Sequence, residues 1–482
     1  MSAADRDGRH AWLALTPLLV GTFTGTVNNS IVNVPMAEIL DDLDVPLSNG
    51  ALIVVAFNLA FAVLMPLSGW LGDRLGRRRT FCAAMVLLAA GAAGSALAPN
   101  LSVLVGFRVL QGVATAAVLP GVMSLIASMF GNDRRGRALG FWAAVNGAGQ
   151  AAGPALGGLL AGWVGWRAIF WPTVPLAFLA LALTLWLVPR DPARPVPLEW
   201  RGAGLLTLSA AELLFAASAV APLGVSSPWV WGVACFGVVT AVGYLLVERG
   251  RADAFLPPGL LRESRYLRSS LAVLAQMFCL GATLLGVPLY LVQRHGVSTA
   301  AAGLLVLALP VAMMVFAPLA GLATERLTPR IALRSGLAVL VAGELLLAVQ
   351  LGAGRAPDSW LVITLALAGA GVAFVQTPAA AGATRSRAGQ RGAGLGLFNS
   401  LRFGGSALGA SWVAAAGGTE GAYGLVFGVC VGVAVLGLLG SFAGEDPATP
   451  AETAADPAAA PAADPSDGVE PSGDTADVAA ER

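Results

Sequence analysis

From Trp12 to Phe442 the chain is a succession of apolar runs, each about twenty residues long, separated by short polar turns. A backbone lying in hydrocarbon must satisfy its own hydrogen bonds, so runs of this length are expected to be membrane-spanning helices. Fourteen can be marked off, at 12–36, 50–72, 80–98, 101–127, 138–164, 166–188, 204–222, 229–247, 267–292, 300–324, 331–351, 360–383, 393–416 and 422–442. The seventh and eighth are the weakest, because Glu212 interrupts one and the other is short; dropping both gives twelve. Composition agrees: 56% of the residues are apolar and only 12% charged, about half the charge of a soluble protein. The net charge of +1 points to no nucleic-acid partner. Every basic side chain is arginine, which together with abundant Ala, Gly and Val suggests a GC-rich bacterial genome.

One short loop is the most informative. Gly69-Trp70-Leu71-Gly72-Asp73-Arg74-Leu75-Gly76-Arg77 joins two membrane-length runs and packs an acid and several arginines into a turn. Such a loop can pin one set of helices to another, and its glycines allow close approach. The segment Pro66–Arg77 lines up with Pro318–Arg330, where Gly321, Glu325 and Arg326 take the places of Gly69, Asp73 and Arg74. Arg135–Gly140 likewise matches Arg391–Gly396, and Gly149 and Gly153 match Gly405 and Gly409. The chain is therefore two related halves, the plan of transporters that rock about a central site.

Arginines cluster at 6–9, 74–79, 134–137, 190–201, 249–268, 326–334 and 385–391, that is, at the N-terminus and in every second loop. The intervening loops hold only Arg167, Arg294 and Arg355. By the positive-inside rule both termini are expected in the cytoplasm. Met1–His10 is short and polar and does not read as a signal peptide. The tail at 443–482, rich in Ala, Pro and acidic residues, is expected to be disordered. Cys82, Cys235, Cys279 and Cys430 stand singly in apolar runs and are expected to be buried, unpaired thiols. His10 and His295 are far apart, on expected loops, so no metal site is expected.

Three further features suggest sites. Arg108 lies inside an apolar run with Gln111 one turn along, and an intramembrane arginine faces protein or water and marks a functional position by default. Gly149, Gly153 and Gly157 recur every four residues beside Pro154, which lets two helices pack without side chains between them. Asn28, Asn29 and Asn33 form a polar strip able to hydrogen-bond a substrate.

Together these residues resemble the major facilitator superfamily. Gly69-x-Leu71-x-Asp73-Arg74-x-Gly76-Arg77-Arg78 is similar to its loop signature between the second and third helices. Phe107–Gly112 resembles its fourth-helix motif, and Gly140, Gly149, Gly153-Pro154 and Gly157-Gly158 its antiporter motif. Ser30–Val34 and Gly165–Phe170 are similar to signatures of the fourteen-helix drug:proton antiporter branch.

The resemblance implies an all-α integral membrane protein with fourteen spans, built as two pseudo-symmetric six-helix bundles (12–189 and 267–442). A linker at 190–266 would carry two inserted helices, after a cytoplasmic segment at 1–11. It implies a cavity lined by the first and fourth helices of each bundle. Phe107, Gln276, Tyr290 and Gln376 are cavity candidates there, as are Asn399 and Arg402, which would also support packing near it. Gly69, Asp73, Arg74, Gly76, Arg77, Glu325 and Arg326 would form a cytoplasmic gate, Arg108 and Gln111 a coupling switch, and Gly149–Gly157 a seal against leak. In that branch an aspartate precedes the first-helix motif. Asn28 stands there instead and cannot titrate, leaving Glu212 and Glu344 as the intramembrane acids for a proton.

The expected function is export of small amphiphilic compounds across a bacterial inner membrane, driven by protons, by a monomer without a cofactor. An uncoupled facilitator or importer, a polytopic membrane enzyme and a transport-dead sensor are the alternatives. The enzyme would need a cluster of His, Asp, Glu or Cys that the sequence does not show.

Overall fold

The structure, a computed structural model, describes residues 3–46, 50–191, 196–251, 254–354, 359–416 and 423–444. All but the first two residues of the tail expected at 443–482 lie outside the described residues. Among the described residues there are helices and turns and no strand. In order the helices are α1 (Ala3–Ser30), α2 (Met36–Asp42), α3 (Gly50–Leu75), α4 (Arg77–Ala96), α5 (Leu101–Met129), α6 (Arg135–Val164), α7 (Thr173–Leu187), α8 (Trp200–Leu223) and α9 (Pro228–Val247). There follow α10 (Pro258–Leu261), α11 (Ser264–His295), α12 (Thr299–Val306), α13 (Ala308–Arg326), α14 (Pro329–Gly352), α15 (Ser359–Arg385), α16 (Gly392–Ala416) and α17 (Tyr423–Gly440).

Each expected span has its helix, but hydropathy separates them. Eleven segments among the described residues are long and apolar enough to cross a membrane. Three long helices at expected positions, α1, α6 and α16, are not among them. Those three carry the Thr, Asn and Gly that the sequence places at helix contacts, which lowers their hydropathy.

Three segments depart from their expected shape. α1 stops at Ser30, and the chain turns into the short α2 before α3. The sixth run opens as a 3₁₀ turn at Trp166–Phe170 and becomes α-helical only after Pro172. The tenth breaks at Leu307 into α12 and α13, where Pro310 has no N–H to give Val306 and its ring crowds that carbonyl. His10 and His295, expected on loops, lie within α1 and at the last residue of α11. Cys279 and Cys430 are buried as expected, but Cys235 is exposed on α9.

Packing differs between the two ends of the molecule. At the end carrying the arginine-rich loops, the larger apolar cluster runs through Leu18, Met65 and Trp142 to Tyr266, Leu337 and Leu395, joining residues from both related parts of the chain, with a smaller one around Trp70, Leu256 and Ala393. At the other end there are two separate clusters. One surrounds Ile31, Ile39, Ile53 and Phe170, and the other Val287, Leu347 and Phe427. Trp12 of α1 stacks edge-on Phe130 after α5, with centroids 4.9 Å apart, which fixes the start of α1 at the arginine-rich end. Helices α3 with α16, and α6 with α13, make the principal contacts between the early and late parts, and α8 packs against α9, α16 and α3.

Candidate functional site

The arginine-rich end is held by two matching contacts. Where α3 crosses α16, a Cβ on Gly69 would overlap the Gly392 carbonyl, and one on Gly392 would overlap that of Gly69. Only glycine allows backbones this close. Asp73, one turn further, accepts from the Gly392 N–H at 2.5 Å, so its carboxylate sits at the N-terminus of α16 where free N–H groups favour negative charge. Arg77 donates to the other Asp73 oxygen from Nε at 3.3 Å and Nη2 at 3.2 Å. It also donates to the Ser124 carbonyl of α5 at 3.3 Å. Gly76, with φ of 95°, makes the turn into α4, and Asp191 caps the Arg77 and Arg78 N–H groups at 2.6 and 3.1 Å. Arg74 lies over the Trp70 ring at 5.3 Å.

The second contact repeats the first with the two parts exchanged. Gly321 of α13 meets Gly136 at the start of α6, where a Cβ would come within 2.8 Å of the Gly136 carbonyl. Glu325 accepts from the Arg137 N–H at 2.8 Å and from its Nε at 2.7 Å, again at a helix N-terminus. The duplicated motif therefore becomes a reciprocal clasp, an acid from each part seated on a helix start of the other.

Away from this clasp lies a cavity of about 600 Å³. Its early-chain wall carries amides and hydroxyls: Thr22, Thr26, Asn29 and Asn33 of the first segment, Asn58 of α3, and Asn146 and Gln150 of α6. Asn29 donates to Asn58 at 3.2 Å, and the Thr26 hydroxyl lies 3.5 Å from the Asn146 oxygen. Its late-chain wall is mainly apolar, with Met277, Leu280 and Leu284 of α11, Val306, Leu307 and Pro310 at the helix break, and Phe403 of α16. Arg402 is the one charged residue lining it among the described residues.

Of the expected cavity residues, Asn29, Asn33 and Arg402 line it. Asn28 does not: it is fully buried, and its amide nitrogen and oxygen have no hydrogen-bond partner. Gln276 and Gln376 are likewise buried outside the cavity with both amide atoms unpartnered. Phe107 packs against Gly94 of α4, and Asn399 donates to Leu395 O at 2.9 Å and Met123 Sδ at 3.2 Å. Tyr290 stands beside His295, 3.1 Å from its Nε2. The expectation that α15 lines the cavity fails because α15 packs behind, between α13 and α14, while the broken α12–α13 takes the wall. Missed from the sequence were Thr22, Thr26, Asn58, Asn146 and Gln150. The signal was the spacing of Thr22, Thr26, Asn29 and Asn33 on one face of the first segment, and of Asn146, Gln150 and Pro154 on one face of α6.

Arg108 has no exposed surface and donates to the Asn28 carbonyl at 2.9 Å, the Gln111 Oε1 at 2.8 Å and the Ile53 carbonyl at 3.4 Å. Its guanidinium also lies 4.3 Å from the Phe57 ring centroid, so it ties α1, α3 and α5 together. Glu344 is buried: Thr283 of α11 donates to one oxygen at 3.3 Å and the other has no partner. Glu212 accepts from Thr240 at 2.7 Å, between α8 and α9. On α6, a Cβ at Gly153 or Gly157 would overlap Ser30 Oγ or the Ile31 carbonyl of the first segment, and Gly405 and Gly409 press the same way on the Leu274 and Phe278 carbonyls of α11.

Opposite the clasp, α2 is tied to the 3₁₀ turn. Glu38 accepts from the Trp166 N–H at 3.0 Å, and Asp42 from Trp166 Nε1 at 3.1 Å and Arg167 at 2.5 Å. The Arg167 hydrogen bond holds the Asp42 carboxyl below its ordinary value.

The sequence model of the Major Facilitator Superfamily matches residues 18–250 and 269–469. Multidrug resistance protein Stp of Mycobacterium tuberculosis is 27% identical over 400 residues, covering 82% of this chain and 74% of that protein. The tetracenomycin C resistance and export protein of Streptomyces glaucescens is 30% identical over 324 residues, 66% of this chain and 60% of that protein. Among solved structures, the proton:xylose symporter XylE superposes with a TM-score of 0.64 at 15% identity, over 90% of this chain and 95% of that one. At that identity the likeness speaks for the fold.

Proposed function

The chain belongs to the major facilitator superfamily, a multi-pass membrane transporter and not an enzyme, and on that footing we propose that it exports small amphiphilic compounds across a bacterial inner membrane by alternating access. The observation that carries the proposal is the two-sided cavity, hydrogen-bonding on one wall and apolar on the other, shut at the arginine-rich end by the reciprocal clasp. An amphiphile matches both walls at once. Relatives named for drug resistance and antibiotic export support the direction.

In this reading the chain has fourteen spans: two six-helix bundles, 12–189 and 267–442, with α8 and α9 inserted between them. The positive-inside rule puts the arginine-rich end and both termini in the cytoplasm. The conformation is then outward-open. Asp73, Arg77 and Glu325, flanked by Arg74 and Arg326, are the cytoplasmic gate; breaking their charge-assisted bonds lets the bundles part on that side. The Gly149–Gly157 face keeps α1 and α6 sealed against leak. Arg108 and Gln111 tie the helices that line the early wall, so a shift of α5 is passed to α1.

Proton antiport needs an acid, and among the described residues the cavity offers none. Glu344 is the proposed carrier, since it is buried in a spanning helix with one oxygen unpartnered; Glu212 is the alternative. A second reading, an uncoupled facilitator, is favoured by Asn28 in the position of the usual first-helix acid. Proteoliposomes with an imposed pH gradient decide between them. Substrate flux that follows the gradient and moves protons supports antiport. Flux that ignores the gradient supports the facilitator, and no flux with a broad amphiphile panel overturns the exporter.

A further inference from the structure

Arg108 and Arg402, both buried within long apolar helices, differ in how far their donors are satisfied. Arg108 donates to two backbone carbonyls and an amide oxygen, and only its Nη2 is left without a partner. Arg402 is 1% exposed, yet its Nε and Nη1 have no hydrogen-bond partner, and its guanidinium lies between the rings of Trp142 and Phe403, 5.3 and 5.2 Å from their centroids. Aromatic faces stabilise a cation partly but accept none of its strong hydrogen bonds. The residue lines the central cavity, and among the described residues no Asp or Glu lines it with Arg402. A buried, uncompensated cation is costly to keep, and the missing acceptor can come from whatever occupies the cavity.

We propose that the substrate is an amphiphile bearing one anionic oxygen group, a carboxylate, sulfonate or phenolate, that docks on Arg402. The apolar body then lies along Met277, Leu280 and Phe403, and remaining polar groups face Asn29, Asn58 and Asn146. A ligand cation is repelled by the same guanidinium and finds no acid to offset it. The inference rests on the reading of this cavity as the substrate site.

Three probes sharing one rigid three-ring skeleton isolate the charge: 9-anthracenecarboxylate, 9-anthracenecarboxamide and 9-anthracenylmethylammonium. Binding to the full-length protein in nanodiscs is read by anthracene fluorescence at neutral pH. The carboxylate is expected to bind at least about tenfold tighter than the amide, the factor one charge-assisted hydrogen bond supplies, and the ammonium weakest. Arg402→Gln removes the preference while leaving amide affinity within about threefold, and Arg402→Lys retains part of it. Should the glutamine variant fail to fold, Ser406→Asp, one helical turn away, sets a negative charge beside Arg402 and also cancels the preference. Equal binding of all three, tightest binding of the ammonium, no binding of any, or a preference that survives both variants overturns the proposal. Vesicle flux separates this from the transport reading. A charge preference in binding without movement of any probe sinks transport alone, whereas flux of ammonium and amide matching the carboxylate sinks the anion site alone.

Discussion

The carboxylate of Asp73 meets the backbone N–H of Gly392 at 2.5 Å, across 319 positions of sequence, and it does so where a helix begins. The same carboxylate holds Arg77 at 3.2 Å, so one acid serves both a charge and a helix start. Asp73→Asn keeps the shape and loses the charge. It is expected to weaken closure by about 1–2 kcal/mol, roughly a five- to thirtyfold shift toward the opened clasp. Spin-label distances between the ends of α3 and α16 are the measurement, and an unchanged distribution counts against the gate. Glu325→Gln should produce the matching change between α13 and α6, since its geometry repeats that of Asp73.

Gly69→Ala tests the backbone contact apart from the charge. The added Cβ would overlap the Gly392 carbonyl, so α3 and α16 must separate. Overpacking of this kind costs about 1–3 kcal/mol. The expected result is a protein that still inserts and folds but spends less time closed at the arginine-rich end, with substrate flux reduced about tenfold or more. Wild-type flux in this variant would remove the contact from the gating argument.

Glu344→Gln distinguishes a proton carrier from a packing residue. Glutamine is neutral, close in size, and still accepts from Thr283. Gradient-driven flux is expected to be lost while substrate counterflow without a gradient stays within about twofold, because only the protonation step is removed. Loss of both, or of neither, would take the carrier role away from Glu344.

The clamp opposite the gate carries a pH signature. Arg167 depresses the Asp42 carboxyl below its ordinary value of 3.8, so the folded state favours the charged form. Its contribution is fully present above that value and is lost as the pH falls through the depressed one. A melting comparison of wild type with Arg167→Met should therefore show a small wild-type advantage at neutral pH that fades only on strong acidification. The advantage should also shrink with added salt, since the pair is exposed. An advantage that grew on acidification would reverse the assigned sign.

Hydropathy and the repeat made the helices and the clasp legible in the sequence, because both are set by local composition: runs of fixed length, and glycine and acid at fixed offsets. The sequence could pair Asp73 with Glu325 by analogy, but which helix each acid meets depends on how the halves cross. The cavity was harder to read. Asn29 and Asn33 were found as a polar strip, yet Asn28 between the same turns points elsewhere, since adjacent helix positions differ by about 100° in direction. Gln276 sits on α11, which lines the cavity through other residues, and Gln376 on α15, which contributes none. Arg402 was expected to serve packing, and only its surroundings reveal donors without acceptors. The wall is formed by α12–α13 and not by α15, and which helix faces the cavity is a matter of packing that periodicity does not display.

The division of the cavity between an amide-rich wall and an apolar wall has a consequence for how such a chain can diversify. Each wall belongs to a different half of the sequence, so shape tolerance and hydrogen-bond selectivity are written in separate stretches. On the proposed reading, a substitution at Leu280 or Leu284 can widen the range of accepted ring systems without disturbing Asn58 or Asn146, and the converse holds for a change of polar pattern. Selection on chemical novelty can then work on one half at a time, while the clasp at the other end, built from glycine backbones, stays fixed.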